Sequence, residues 1–330
     1  MVRDKMLKEQ EEEMKYDKES RPNGVSSITG EVLSEAMPWI KNVTGKTIVI
    51  KYGGAAMVDA DLRAKVMADI VLLKIIGVNP VIVHGGGKAI NAAMEREGLP
   101  VEFVDGQRVT TDEAMAVVRR VLTGEVNQQL VQAMNQHGNM AVGICGTDAG
   151  TIVATRASER LGRVGKIVHI NNSLIEDLVS SDYIPVIASI AIGDDGQVYN
   201  VNADVAAGHI AAAIGAHKVI FLSDIDGLYE NYPDQDSLIA YLSADEAREM
   251  ISSGIISTGM IPKLESCIRA LDEGVHRAHI VNGTIQHALL LETLTNKGIG
   301  TMVTNSTTPH TFDAAPLGNF ASKLTEKRGI

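Results

Sequence analysis

The chain has 330 residues, 45% of them hydrophobic, and a formal net charge of −11. That size and apolar content suit one large or two modest α/β domains, and the acidic balance argues against a nucleic-acid binder working through a basic face. Aromatic residues are only 4% of the chain, so the core must be aliphatic; no stretch reaches the roughly 20 apolar residues of a membrane span.

In chain order, residues 1–26 mix acidic and basic side chains from Glu9 to Glu19 and read as a charged, disordered tail without the pattern of an export signal. Residues 27–45 hold an amphipathic helix, about 28–44, with Ile28, Val32, Met37 and Ile40 near helical spacing. Pro38 lies inside it and predicts a kink or break. The helix precedes the first strand, so its apolar face packs either on its own domain or on another subunit. From Lys46 onward strands and helices alternate. Strand 47–52 leads to helix 59–77, with Leu62, Val66, Ile70 and Leu73 on one stripe. Strand 80–84 leads to helix 88–97, then helices near 111–122 and 124–137. Strand 141–144 and a strand-rich stretch at 152–170 follow, then helix 173–180 and strand 184–190. The turn Asp194-Asp195-Gly196 leads into a further strand. Helix 203–215, strand 218–222, helices near 244–253 and 260–273, strand 278–282 and helix 286–294 complete the order, and 305–330 is an irregular tail. Short apolar strands alternating with helices predict a mostly parallel central sheet covered on both faces.

The chemistry gathers at glycine-rich corners. Strand 47–52 ends in Lys51-Tyr52-Gly53-Gly54, which puts a lysine where open α/β sheets bind ligands. His84-Gly85-Gly86-Gly87 follows a strand and opens a helix, as an anion cradle of backbone N–H groups would. Asn200-Val201-Asn202-Ala203-Asp204 carries polar groups at every second position, on one face of an extended segment. The two asparagines suit a polar substrate; Asp204 suits capping the next helix or holding a lysine. Ser223-Asp224-Ile225-Asp226-Gly227 places carboxylates at a strand end, facing a nucleotide, its metal or solvent, with Asp226-Gly227 also a turn signal. Ser257-Thr258-Gly259-Met260-Ile261-Pro262-Lys263 supplies a second lysine after a glycine step.

Other motifs fail. Thr44-Gly45-Lys46-Thr47 is no P-loop, since Ile40 stands where its first glycine belongs and the element precedes a strand. Ile90 breaks a dinucleotide fingerprint after Gly85. His276 and His279 lack an HExxH context, and there is no G-x-S-x-G elbow. Cys145 and Cys267 read as reduced thiols of a cytoplasmic protein, with no CxxC pair.

In this order, the corners at Lys51-Tyr52-Gly53-Gly54, His84-Gly85-Gly86-Gly87, Gly106-Gln107-Arg108-Val109-Thr110, Asn200-Val201-Asn202-Ala203-Asp204, Leu222-Ser223-Asp224 and Gly259-Met260 with Lys263 resemble the amino acid kinase family over about residues 28–304. The resemblance implies a three-layer αβα sandwich around a mostly parallel sheet, with an extra N-terminal helix. It implies an N-lobe, about 46–200, for the acyl substrate and dimerisation, and a C-lobe, about 201–304, for the nucleotide. The Arg108 and Asn200 segments resemble the branch that phosphorylates the γ-carboxylate of N-acetyl-L-glutamate with ATP, with Mg²⁺ carried on the phosphates and no protein metal site. On that resemblance Lys51, Lys263 and Asp204 are catalytic. Gly86, Gly87, Arg108, Asn200 and Asn202 hold the acyl substrate, and Gly53, Gly54, Ser223, Asp224, Asp226, Gly227, Thr258, Gly259 and Met260 line the nucleotide site. The N-terminal helix and the run from His287 to Met302 resemble the arginine-inhibited members, hexamers built as trimers of dimers. This implies an arginine site at Trp39, His287, Glu292, Gly298 and Gly300. Trp39 stands where many members have tyrosine. A sister kinase, an arginine-binding subunit without activity and a generic nucleotide binder are the alternatives, and a nitrogen-signalling regulator is a further possible partner.

Overall fold

A computed structural model describes residues 25–57, 59–231, 234–256, 260–295 and 298–305, without the side chains of 25–29, 55 and 56. The predicted tails, 1–26 and 305–330, thus fall almost wholly outside the described residues, as do Ser257, Thr258 and Gly259. The chain divides into two units, one ending at Pro38 and one beginning at Trp39. Of the kink or break predicted at Pro38, the break does not occur: the helix Val25–Val43 runs through it. A proline removes one N–H donor, and the helix continues past it to a closed end where the Thr44 N–H and hydroxyl both donate to Ile40 O, at 2.9 and 2.7 Å. Val32, Leu33 and Met37 on this helix are exposed.

The second unit is built on an eight-stranded sheet. In chain order the strands are β1 (Thr47–Tyr52), β2 (Asn79–His84), the hairpin β3 (Phe103–Val104) and β4 (Gln107–Arg108), β5 (Ala141–Cys145), β6 (Ile152–Arg156), β7 (Gly165–Ile170), β8 (Ile184–Ala188), β9 (Ile190–Ile192), β10 (Val198–Asn200), β11 (Lys218–Ser223), β12 (Tyr241–Ser243), β13 (Arg277–Asn282) and β14 (Thr301–Thr304). The main sheet has the order β12-β14-β13-β11-β1-β2-β8-β5, and β6, β7, β9 and β10 form a second, four-stranded sheet. Every pairing in the main sheet is parallel except β13 with β14. The mostly parallel sheet with helices on both sides is the predicted architecture. β1 of the predicted N-lobe pairs directly with β11 of the predicted C-lobe, so one sheet runs through both.

Strand parity decides which residues meet. Side chains alternate faces along a strand. Ile48, Ile50 and Tyr52 of β1, Ile82 of β2, and Ile220 and Leu222 of β11 join one core cluster with Leu130 and Met134 of helix Asn127–Asn135. Val49, Val81, Val83, Val219 and Phe221 join the other, with Ala206, Ala207 and Ile210 of helix Ala203–Ala213. Lys51 therefore points toward the second helix and His84 toward the first.

Three local predictions differ from the structure. The single strand predicted at 184–190 leaves the main sheet at Ser189 and continues as β9 in the second sheet. The two helices predicted at 111–122 and 124–137 form one rod, in which Asp112–Arg119 passes through a π-helical stretch, Arg120–Val126, into Asn127–Asn135. Gly124 sits inside the wide turn. The short strands β12 and β14 were not anticipated. Among the described residues no helix is long and apolar enough to cross a membrane.

Candidate active site

The carboxyl ends of β1, β2, β8, β11 and β13 share one edge of the sheet. The chain lays β2 and β8 on one side of β1, then returns to place β11 and β13 on the other. Open α/β sheets take ligands in the crevice at such a reversal. Lys51 stands there, in register with Phe221 of β11 and Val83 of β2. Its Nζ lies 3.0 Å from Asp204 Oδ1, with both side chains buried. Gly53 passes close over this lysine: a Cβ there would come within 3.0 Å of Lys51 Nζ.

Asp204 is in the first turn of helix Ala203–Ala213. The cap is Asn202, whose Oδ1 accepts the N–H of Asp204 at 2.7 Å and of Val205 at 3.3 Å. Capping thus falls to Asn202, which the sequence reading gave to the substrate, and the Asp204 carboxylate is left for Lys51. Lys263 lies in the first turn of helix Ile261–Asp272, which packs closely on the Asp204 helix: a Cβ at Gly208 would sit 3.3 Å from Ser266 O. Lys263 is half-buried and forms no ion pair among the described residues. Both charges nevertheless reach the buried Cys267: burial first, then the Asp204 carboxylate, push its thiol up, while Lys263 opposes them.

Across the crevice lies the glycine turn. Gly86 precedes helix Gly87–Arg96, and among the described residues no protein acceptor meets the N–H of Gly86 or Gly87. Donors left over at a helix start attract anions. Gly86 is closely packed: a Cβ there would come within 2.8 Å of Leu122 and 3.2 Å of Val126, both on the π-helical stretch, so these side chains would have to shift. A cavity of about 390 Å³ joins Gly54 of the first corner to Gly86 and Gly87 of the second, with Arg63, Lys88 and Gln129 on its wall.

Arg108 closes the β3–β4 hairpin, whose two-residue turn has Asp105 and Gly106 at positive φ, 50° and 75°. The guanidinium is buried and reaches back over the glycine turn. Nη2 donates to Gly87 O at 3.2 Å and to Asn91 Oδ1, Nη1 lies 3.4 Å from Met94 Sδ, and Phe103 stacks 4.9 Å away. Burial draws its pKa below the usual arginine value. Thr110 ties Arg108 to Asn200. Its hydroxyl donates to Arg108 O at 3.0 Å and accepts from Asn200 Nδ2 at 3.4 Å. Gly87, Arg108 and Asn200, singled out from distant segments, are thus linked by hydrogen bonds, the last two by way of Thr110. Asn91 and Thr110 were missed; the Arg108-Val109-Thr110 alternation carried a hint of the second.

On the β11 side, Ser223 Oγ donates to Asp224 Oδ1 at 3.3 Å. Asp226 is engaged: Asn282 Nδ2 and Tyr229 Oη each donate to it at 2.7 Å, which holds its carboxyl below the usual range. Gly227 permits close passage of β14, since a Cβ would lie 2.4 Å from Thr301 Oγ1. Both residues are thus tied to neighbouring strands, Asp226 to β13 through Asn282 and Gly227 to β14. Met260 is buried at the start of the Lys263 helix. Among the described residues no group of three or more His, Cys, Asp or Glu side chains converges on a metal position.

A second polar cluster lies toward the opposite ends of the strands. Glu292 is buried, accepting from His279 Nδ1 at 2.6 Å and from the N–H of Ile299 at 2.7 Å and Gly300 at 3.2 Å. Burial would raise its pKa, but these donors and nearby Lys218 hold it below the usual value. Burial brings Lys218 down to about 8, Arg277 adding to the effect and Glu292 opposing it. Gly298, at φ 57°, wraps the loop against Glu292, and Gly300 packs against Ile280 O, 2.2 Å from a hypothetical Cβ. His287 instead pairs with buried Asp69, its Nδ1 2.7 Å from Asp69 Oδ1. Trp39 is half-buried. Lys218 and His279 had no motif to mark them.

The sequence profile of the amino acid kinase family matches residues 46–282. The chain belongs to that family. It is 48% identical over 282 residues to acetylglutamate kinase of Caldanaerobacter subterraneus subsp. tengcongensis, covering 85% of this chain and 94% of that protein. It is 49% identical over 275 residues to acetylglutamate kinase of Thermoanaerobacter pseudethanolicus, covering 83% and 92%. Among solved structures it resembles N-acetylglutamate synthase from Neisseria gonorrhoeae complexed with coenzyme A and N-acetyl-glutamate. The TM-score is 0.75 at 23% identity, over 90% of this chain and 69% of that one, a likeness of fold.

Proposed function

We propose that this chain transfers the γ-phosphoryl group of ATP to the γ-carboxylate of N-acetyl-L-glutamate, giving N-acetyl-L-glutamyl 5-phosphate in the second step of arginine biosynthesis. The observation that carries the reading is the buried Lys51–Asp204 pair at the strand reversal, on the same edge of the sheet as the N–H groups of Gly86 and Gly87, which meet no protein acceptor among the described residues. The named relatives support the same substrate.

A carboxylate is already a nucleophile and needs no general base. Catalysis reduces to bringing two anions into line and neutralising the charge that spreads over the transferring group. Gly86 and Gly87 supply donors for the acceptor carboxylate. Arg108 and Asn200 grip the far end of the acyl substrate, the planar guanidinium suiting its α-carboxylate. Lys51, aimed by Asp204 and overlain by Gly53, meets the phosphoryl oxygens, and Lys263 on the adjoining helix faces the same crevice from the nucleotide side. Mg²⁺ would arrive on the ATP phosphates and neutralise part of their charge. The test is ADP release from MgATP with N-acetyl-L-glutamate against glutamate, aspartate and carbamate as acceptors. Preference for another acceptor would move the chain to a sister activity.

We further infer that L-arginine inhibits this enzyme from the Glu292 cluster, and that the N-terminal helix joins copies into a hexamer, a trimer of dimers. The exposed Val32, Leu33 and Met37 and the buried carboxylate wrapped by Gly298 and Gly300 support this. Deleting residues 1–44 should leave dimers and weaken inhibition; hexamers that survive the deletion would refute the role of the helix.

A further inference from the structure

His84 stands beneath the glycine turn without touching the crevice. It is the last residue of β2, wholly buried, on the sheet face opposite Lys51. Its Nδ1 lies 3.0 Å from Gly85 O, and its Nε2 lies 3.0 Å from Asn127 Nδ2. A carbonyl only accepts, so Nδ1 carries the proton; a neutral ring then leaves Nε2 bare to accept from the asparagine amide. Burial holds the ring neutral by drawing its pKa down to about 4.

Asn127 anchors this relay to the scaffold. It is buried at the first turn of helix Asn127–Asn135, and its Nδ2 also donates to Val186 O of β8 at 2.8 Å and lies 3.3 Å from Ile144 O of β5. Gly143 of β5 makes room for it: a Cβ there would fall 2.0 Å from Asn127 Oδ1. The carbonyl of Gly85 is thus tied through one imidazole to β8 and β5. From the other side Leu122 and Val126 press on Gly86. Three glycines in succession leave a turn with little intrinsic preference, yet the N–H groups it presents must hold a fixed direction.

We propose that His84, held by Asn127, is a positioning residue for phosphoryl transfer: by fixing the Gly85 carbonyl it sets the direction in which the Gly86 and Gly87 N–H groups meet the acceptor carboxylate. This rests on the reading of the turn as the acyl-substrate cradle. It sets His84 apart from a core histidine that only fills space. The role makes three demands: the Nδ1–H tautomer, an effect on the acyl substrate but not on the nucleotide, and rescue by a side chain that restores the bond to Gly85 O alone.

The experiment compares His84→Gln, which loses the group at the Nδ1 position, with His84→Asn, whose amide N–H can take it over. Steady-state constants are measured for both substrates, beside the melting temperature. The expected result for His84→Gln is a roughly ten- to hundredfold loss in kcat/KM for N-acetyl-L-glutamate, the scale of a misdirected reactant, with the KM for ATP within about twofold. His84→Asn should recover most of the loss even if it melts no higher than His84→Gln. Wild-type constants in His84→Gln, or losses in the two variants that follow only their melting temperatures, would overturn the proposal. If neither variant folds, ¹⁵N spectra of the imidazoles in the unmodified chain decide: an Nδ1–H tautomer for His84 is required, and an Nε2–H tautomer contradicts it. Failure of the unmodified enzyme to use N-acetyl-L-glutamate would instead sink the cradle reading, so the two failures are distinct.

Discussion

β11 carries a lysine at one end and the crevice at the other, and the two ends of this strand differ in how their polar groups are spent. At the carboxyl end of the sheet lie one ion pair and two donors that meet no protein acceptor among the described residues: Lys51 meets Asp204, while the N–H groups of Gly86 and Gly87 are unspent. At the amino end, Lys218 is buried near a carboxylate whose oxygens already receive His279 and the N–H groups of Ile299 and Gly300. A surplus of donors in a crevice is a site waiting for anions. A buried carboxylate with its donors in place holds a loop, and a cationic ligand would have to exchange into that set. Parity explains the separation. Lys51 faces the Asp204 helix, whereas Lys218 and His279 lie on the other face, with the helix Ala288–Leu294.

Several substitutions would break or sharpen this contrast. The largest effect is expected at Lys51: Lys51→Ala should lower turnover by roughly 10²–10³-fold with modest change in KM, as for loss of one charge-stabilising donor, and unchanged turnover would remove Lys51 from the mechanism. Arg108→Lys comes next. A point charge cannot span Gly87 O and Asn91 together, so KM for the acyl substrate should rise about tenfold while KM for ATP stays put. Gly86→Ala should cost about 1–3 kcal/mol of stability through overpacking against Leu122, and calorimetry reads it directly. At the other end of the strand, Glu292→Gln should leave turnover near the wild-type value and abolish any response to arginine; loss of turnover there would dissolve the contrast.

A further expected effect is on pH. His84 is neutral in the fold, with its pKa held down at about 4, while the unfolded chain takes up a proton below the ordinary histidine value. The unfolded state then binds the extra proton, so stability is lost as pH falls from about 6.5 toward 4, by roughly 1.4 kcal/mol per pH unit for this group within the window. The stability gap between the native chain and His84→Asn should narrow over that range; a constant gap would show that His84 is charged in the fold.

The corners of the site were legible because glycines and lysines at strand ends mark themselves. Arg108, Asn200 and Asp204 could be named from their segments, but the division of labour between Asn202 and Asp204 could not, since both residue types cap helices and only the backbone angles at position 202 choose. Asp226 reads in sequence as a carboxylate at a strand end, but its partners Tyr229 and Asn282 could not be read there. Lys218, His279 and Asn127 gave no signal. Their meaning lies in partners from remote strands, and a buried polar side chain looks in sequence like any surface one. The π-helical stretch was equally silent, as was the switch of sheets at Ser189, where the chain leaves the edge beside β2 without any glycine or proline to mark it.

The central claim is that the crevice edge of this sheet passes a phosphoryl group to a carboxylate held on glycine N–H groups. The measurement that tests it most directly is MgATP-dependent ADP release with N-acetyl-L-glutamate, beside glutamate, aspartate and carbamate, for the unmodified chain and for Lys51→Ala. The account predicts turnover on N-acetyl-L-glutamate alone and its near abolition in the variant. Turnover that prefers another acceptor, or that survives the loss of Lys51, would contradict it.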